Sequence, residues 1–258
     1  MGRCKEIIIK VIPANVANPF VKKHHYSGKV VPNSVLHFGA FLDGKLHGVL
    51  SYGPSLDKKK VMGLVEGTGW NEFLELNRMA FDDYLPRNSE SFCIGATLRM
   101  IKKQAPHIKW VVSFADGTQC GDGTIYRASN FVLTGIKEGS HFFRLPNGES
   151  YTALTMKLHG WGGGLTKYVS KEKFDEIVGT KVGNQEVIER LMSYIGATKL
   201  NGYSLRYIYF LDKKSRSKLT CPEIPFSKID EMKAGMYKGE CISREERHAK
   251  LSKSQIQK

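Results

Sequence analysis

The residues best placed to do chemistry lie in one stretch, Lys109–Phe131, KWVVSFADGTQCGDGTIYRASNF. It begins as the apolar run Trp110–Ala115, short and β-rich enough for a buried strand. It stops at Asp116, crosses a loop carrying Gly117, Gly121 and Gly123, and restarts as a helical segment, Thr124–Ser129. Sheets of α/β proteins place their sites at the carboxyl end of such a strand. An acid there can take a proton or accept a hydrogen bond, and glycines let backbone approach a phosphate closely.

Other elements must hold that stretch in place. Glu6–Ile12 reads as a first strand, stopped by Pro13. Asn15–Tyr26 reads as a helix whose start Pro19 limits, leading into a polar turn at His24–Gly28. Val35–Leu42 and Leu46–Tyr52 form a hairpin around Asp43-Gly44, a pair that tolerates positive φ. Gly53–Gly69 reads as a loop exposing Lys58, Lys59 and Lys60. Glu72–Phe81 fits a strand with Asn77 and Arg78 near its end, although its propensity also suits a helix. Ser89 caps a helix that begins just after Arg87, runs through Phe92–Lys103 and stops before Pro106.

Further strands follow at Phe131–Ile136 and His141–Leu145, and Asn147-Gly148 turns into Tyr151–Leu158. This order predicts a mixed α/β (α+β) fold: a central sheet with antiparallel front strands and parallel later ones, flanked by helices. Beyond Gly160 the texture changes. Gly162–Gly164 reads as a hinge, Gln185–Ile195 as an amphipathic helix, Ser204–Leu211 as a strand and Lys213–Lys218 as a basic turn. Ser243–Lys258 is a charged tail. The expected division is a first domain over 1–160 and a basic C-terminal extension over 161–258, packed on the first.

Charge narrows the function. Lys and Arg number 39 against 25 Asp and Glu, a formal net charge of +14 over 258 residues. Such a balance favours a polyanionic partner, above all nucleic acid, because bound cations release counterions from phosphates. Cys4, Cys93, Cys120, Cys221 and Cys241 are dispersed without a CxxC pair, which argues against a disulfide framework or a zinc finger and for reduced thiols. The opening MGRCKEIIIKVIP is too short in apolar residues for a signal peptide, and nothing approaches a membrane span. A soluble cytoplasmic protein with no membrane partner is expected.

The element order up to Phe131 resembles the GCN5-related N-acetyltransferase (GNAT) fold, which holds acyl-CoA pyrophosphate between its fourth strand and the next helix. In that likeness the strand is Leu76–Met79 and the anion loop Arg87–Ser91. The family's glycine loop is absent; Asn88, Ser89 and Ser91 stand in its place. Longer strings resemble one branch, the Mom family of phage DNA-modification proteins. They are His25–Gly28, Glu75–Met79, Leu85–Ser91, Ser113–Phe131 and Tyr207–Asp212. The resemblance implies conversion of adenine in double-stranded DNA to N6-(carbamoylmethyl)adenine, protecting the DNA from host restriction in the host cell cytoplasm. Two other functions stay open: a GNAT acting on a protein, RNA or small amine, and a non-catalytic basic anti-restriction protein that binds DNA.

What the resemblance implies for the site falls on His25, Arg78, Ser91, Asp116 and Tyr126. Asp116 can accept from the adenine amino group or act as base, or it can cap the Gly117 turn. Tyr126 can stack on an extruded base or donate a phenolic proton, or simply pack on the sheet. Arg78 suits a donor carboxylate or phosphate, or an ion pair with Glu75 or Asp82. Arg87, Ser89 and Ser91 at a helix start suit donor phosphates or capping.

The donor is acetyl-CoA or an activated glycyl group; plain acyl transfer would leave a carbonyl on N6. A metal such as iron is conceivable with His24, His25, His37 and His47, yet no HxxxH or facial-triad spacing supports one. DNA contacts are expected from Tyr26, Lys58, Lys59, Lys60, Lys102, Lys103, Lys213, Lys214 and Arg216, with the adenine flipped out. A dimer is compatible with the sequence.

Overall fold

The front of the chain folds as its alternating apolar residues and one tight turn dictate. A computed structural model describes residues 3–116, 122–139, 142–153, 156, 160–162, 164–180, 184–237, 240–241 and 246. In chain order the elements are β1 (Ile8–Val11), α1 (Ala14–His24), β2 (Leu36–Leu42), β3 (Lys45–Gly53), α2 (Lys58–Met62), β4 (Phe73–Phe81), α3 (Ser89–Gln104), β5 (Trp110–Asp116), α4 (Thr124–Ala128) and β6 (Val132–Glu138). Then come β7 (Phe142–Arg144), β8 (Ser150–Thr152), α5 (Lys171–Val178), α6 (Gln185–Tyr194), β9 (Thr198–Lys199), β10 (Tyr203–Phe210), a 3₁₀ turn at Lys213–Lys218, α7 (Ser227–Glu231), β11 (Met236–Tyr237) and β12 (Glu240–Cys241).

Contacts divide the chain into two compact units that are not consecutive in sequence. The first comprises Met1–Ala115, Gly123–Ile136 and Leu205–Lys228, and the second Asp116–Asp122, Lys137–Ser204 and Ile229–Lys258. The expected boundary at 160 does not coincide with this division. The reason is β10, which lies between β5 and β6 in a seven-stranded sheet of order β1-β2-β3-β4-β5-β10-β6.

In the first unit, β1 to β4 pair antiparallel and β5 joins β4 in parallel, giving the expected mixed sheet. The β2–β3 hairpin turns on Asp43 (φ 50°) and Gly44 (φ 76°), the conformation that asparagine, aspartate and glycine adopt most readily. Helix α1 starts at Ala14, earlier than Pro19 suggested, and keeps Pro19 inside it. Burial of Ala17 and Val21 with Ile12, Val49 and Ala80 offsets the lost backbone bond.

Helix α2 replaces the front of the expected lysine loop. Asp57 accepts from the Lys60 N–H, and Val61 buries among Val65, Phe73, Trp110, Val112 and Ile208. Glu72–Phe81 resolves its ambiguity as strand, with Phe73, Leu76 and Ala80 buried.

The second unit has its own core of Phe143, Tyr151, Met156, Leu165, Phe174, Ile188 and Leu191. Its small sheet runs β8-β7-β9. Helices α5 and α6 start on Ser170 and Asn184, whose side chains accept backbone N–H bonds. Helix α5 was not read from the sequence, although Ser170 followed by Phe174, Ile177 and Val178 carries its cap and apolar face. Of the glycine hinge, Gly163 lies outside the described residues, and Gly164 has φ 101° ahead of a short 3₁₀ turn at Leu165–Lys167. The C-terminal tail lies outside them too, apart from Glu246.

Candidate functional site

The site is built around an irregularity in β4. Opposite β3, Ser51 pairs with Arg78 but Tyr52 pairs with Leu76, so Asn77 is an extra residue that bulges the strand. Bulges re-aim side chains and recur next to active sites. Gly53 faces this point, and any Cβ there would lie 2.3 Å from Asn33 O and 2.9 Å from Asn77 Oδ1. Only glycine lets the chain pass. Ser34 donates to Asn77 Oδ1 at 3.1 Å, and Asn33 donates to Pro54 O at 2.5 Å.

Arg78 is half-buried beside the bulge. Its Nε donates to Lys29 O and one terminal nitrogen to Asn77 O, each at 3.0 Å. Burial lowers its pKa, opposed by Tyr26 and Glu75. Burial raises the pKa of Glu75 against the opposing pull of Ser55, Asn77 and Arg78. The two groups are thus under-solvated neighbours, and the acid is held toward neutrality. A half-buried guanidinium at this point suits an anion or a polar oxygen. Glu75 belongs to this cluster although it was read only as a possible structural partner of Arg78; nothing in its spacing marked it.

His25 stands in the same cluster. Its Nδ1 accepts the Ser27 backbone N–H at 3.1 Å and lies 2.8 Å from Ser27 Oγ. A ring nitrogen that accepts from backbone carries no proton, so the neutral ring holds its proton on Nε2 and donates there. Burial, helped by the Arg78 charge, lowers the pKa of His25 to about 4. The ring is therefore neutral at pH 7. Tyr26, 53% exposed, packs against it at 4.3 Å between ring centroids.

A second feature follows from the parallel pairing of β4 and β5, whose register runs from Phe73–Trp110 to Glu75–Val112. Just past that pairing, buried Ser113 Oγ lies 3.2 Å from Leu76 O and donates at 2.9 Å to the Tyr126 hydroxyl. The Tyr126 ring is buried, stacked at 5.0 Å on Tyr207 and set edge-on to Phe131 at 5.4 Å. The structure thus fixes Tyr126 by its hydroxyl and packs its ring. Gly123 makes this possible: its φ is +68°, and a Cβ would lie 2.6 Å from the Tyr207 ring. This glycine serves close packing. Gly117 and Gly121, the rest of the suggested cradle, lie outside the described residues, as does Cys120. Asp116 is the last residue of β5, half-buried, and falls in the second unit.

The third feature is the start of α3. Asn88 adopts a left-handed φ of 69° and makes no side-chain cap. Ser89 is buried and donates to Pro86 O at 2.5 Å, while Ser91 donates to Asn88 O at 3.1 Å. Both hydroxyls are engaged locally. Among the described residues, the backbone N–H groups of Glu90 and Ser91 have no acceptor. Arg87 is exposed next to them, and its carbonyl accepts from Cys4 Sγ at 3.1 Å. An anion at this helix start would therefore meet backbone donors and Arg87 rather than serine hydroxyls.

The four histidines part company. His24 stacks on Phe20, His37 bonds Ser51 at 2.8 Å, and His47 bonds Asp82 at 2.8 Å. Among the described residues no three His, Cys, Asp or Glu side chains converge to hold a metal ion. Cys4, Cys93 and Cys221 are free thiols, and burial pushes the Cys93 thiol up to about 12. No helix among the described residues is long and apolar enough to cross a membrane.

Of the basic residues, Lys102 and Lys103 are exposed in the last turn of α3, which has 16 residues, so they stand about 20 Å from its start. Arg216 is committed to a two-pronged pair with Glu223 at 2.6 Å. Lys58 donates to Asn71 and lies 4.4 Å over the exposed Trp70 ring.

Comparison with known proteins gives the lineage. Solved acetyltransferases align only distantly. One from Bacillus cereus, described as an IAA acetyltransferase, is 9% identical with a TM-score of 0.40, covering 79% of this chain and 99% of its own. A Bacillus subtilis acetyltransferase in complex with CoA is 10% identical with a TM-score of 0.39, covering 79% and 98%. Likenesses this remote bear no argument about the site. A relative from Escherichia phage Mu, the methylcarbamoylase mom, is 37% identical over 216 residues, 83% of this chain and 80% of that protein. The Mom protein family matches residues 6–228, a span that includes the β4 bulge, the α3 start and the β5–α4 segment. The chain belongs to the Mom protein family.

Proposed function

We propose that this protein modifies adenine in double-stranded DNA, attaching a carbamoylmethyl group to N6 and so shielding phage DNA from host restriction. The observation that carries the reading is the family match, because it spans every candidate site residue from His25 to Arg216. The 37% identity to a methylcarbamoylase and the net charge of +14 agree with it. The place of action on this reading is the host cytoplasm.

The chemistry assigns work to each group. Adenine N6 is a weak nucleophile because its lone pair delocalises into the ring, so a base, a dry pocket and an activated donor are all required. Asp116 is the proposed base, taking the N6 proton as the N6–carbon bond forms and the bond from that carbon to the donor's leaving group breaks. A thioester attacked at its carbonyl would give the N6 amide and need a further reaction to reach the carbamoylmethyl product. His25, neutral and with its proton on Nε2, is the proposed donor to a carbonyl oxygen of the transferred group. Arg78 would hold a carboxylate or phosphate of the donor.

Tyr126, fixed by Ser113, is proposed to pass a phenolic proton. Base stacking then falls to Tyr26, whose exposed ring is available to an extruded adenine. A CoA-type or activated glycyl donor would rest its phosphates on Arg87 and the free N–H groups of Glu90 and Ser91. Ser89 and Ser91 would support that loop through their carbonyl bonds.

The test is direct. The protein is produced in bacterial cells, their DNA is digested to nucleosides, and deoxyadenosine is examined by mass spectrometry. Deoxyadenosine bearing one added carbamoylmethyl group is expected. Unmodified adenine in the presence of folded protein refutes the reading.

A further inference from the structure

Two lysine-bearing segments far apart in sequence meet at one end of the first unit's sheet. Val65 bridges Leu219, Glu66 N–H donates to Lys218 O at 2.8 Å, and Thr220 N–H donates to Leu64 O at 2.9 Å. Thr220 Oγ1 adds a bond to Gly63 O at 2.8 Å. These contacts set the 3₁₀ turn Lys213–Lys218 beside the segment that follows α2. The backbone ties continue inward: Asp212 N–H donates to Lys109 O at 2.8 Å, and Lys109 N–H to Glu72 O at 2.7 Å. The whole assembly therefore sits where β4 and β5 begin.

Its charges are not cancelled. Among the described residues the ammonium groups of Lys59, Lys60, Lys213, Lys214 and Lys218, all exposed, have no ion-pair or hydrogen-bond partner. Glu72 pairs with Lys109 and is also attracted by Lys218, and Glu223 pairs with Arg216. Asp57, Glu66 and Asp212 remain as carboxylates, and the lysines of the two segments outnumber them. Trp70, 57% exposed, lies under Lys58 and adds an aromatic ring to this surface. Cations alone would suit any polyanion; a duplex is the polyanion that the proposed substrate supplies.

The patch is remote from the bulge. From Phe73 to Arg78 is a rise of five residues, about 16 Å, or about five base pairs of B-DNA. We propose that this surface is a second DNA-binding platform that grips duplex phosphates about five or more base pairs away from the adenine being modified. It rests on DNA being the substrate. Such a contact holds the duplex while one base is extruded at the far end of the strand, and it contributes affinity without reading sequence.

The salt dependence of binding, measured by fluorescence anisotropy with the full chain, tests this. Two probes are compared: a duplex of about thirty base pairs and a hairpin with a stem of about eight, each with a central adenine. The variant carries Lys59→Ala, Lys60→Ala, Lys214→Ala and Lys218→Ala; a Lys→Arg version of the same four positions controls for folding. On the long duplex the alanine variant should show a log Kobs–log[salt] slope shallower by about 2–4, since each phosphate contact contributes about 0.9. The arginine version should keep the parental slope, and on the short hairpin all three proteins should coincide.

Parental and alanine proteins with equal slopes on the long duplex overturn the proposal and turn attention to an acidic protein partner. An equal loss on both probes also overturns it, since the lysines would then contact phosphates beside the adenine. Failure of the DNA-modification reading shows separately, as unmodified adenine in the nucleoside digest.

Discussion

At the scale of single residues, the proposed site depends on which groups carry a proton. His25 accepts from backbone at Nδ1, and burial with the Arg78 charge lowers its pKa to about 4. In the unfolded chain the same ring titrates near its ordinary value of about 6.5. Between these values the unfolded state binds the extra proton, so His25 contributes stability that is present above pH 6.5 and is lost as pH falls through about 4. Stability measured by urea unfolding should therefore decline from pH 6.5 toward pH 4, and His25→Gln should flatten that part of the profile. A variant with the parental slope would refute the assignment.

Tyr126 makes a complementary case. Tyr126→Phe removes a hydroxyl that accepts from buried Ser113, costing about 1 kcal/mol of stability. Adenine modification should fall at least about tenfold, beyond what so small a loss of folded protein explains. Activity equal to the parent at matched folded concentration would reduce Tyr126 to packing.

At the scale of elements, the decisive pieces are the bulge of β4, the start of α3 and the α4 entry. At the α3 start Arg87, Ser89 and Ser91 were expected to hold donor phosphates or to cap the helix. Both serine hydroxyls instead donate to loop carbonyls and, among the described residues, the free donors are the N–H groups of Glu90 and Ser91. A backbone donor can be deleted separately from a hydroxyl. Ser91→Ala should change acetyl-CoA affinity less than about threefold, whereas Ser91→Pro, tolerated in a first helical turn, should weaken it about tenfold or more. Calorimetric titration decides; equal effects of the two changes would return the role to the hydroxyl.

Gly123→Ala tests the α4 entry. It combines an unfavourable left-handed φ with a clash on Tyr207, and should destabilise by about 2–4 kcal/mol in denaturant unfolding.

At the scale of the whole molecule, local signals were legible and long-range pairing was not. The Asp43-Gly44 hairpin and the helix over Phe92–Lys103 announce themselves through turn chemistry and periodicity. By contrast, β4 also read as helix, and Ser89 is not the cap, its hydroxyl donating to Pro86 O. Helix α2 did not, since three lysines mask the one residue, Val61, that anchors it. The bulge at Asn77 depends on register against β3, which no spacing in β4 reveals. The cluster joining His25 to Arg78 was legible only through family resemblance, because the contact spans more than fifty positions.

The placement of β10 was the least readable feature of all, since an apolar strand near residue 205 carries no mark of which neighbours it will join. Its consequence is testable. Leu205, Tyr207 and Ile208 are fully buried, and each contributes about 1.5–3 kcal/mol by burial. Removing residues 161–258 would strip those side chains from the sheet and leave β5 and β6 without the strand between them. The loss is comparable to the entire stability of a domain, about 5–15 kcal/mol. A chain ending at residue 160 should therefore show no cooperative unfolding transition by circular dichroism. A cooperative transition in that truncated chain would mean that the first unit closes its sheet without β10.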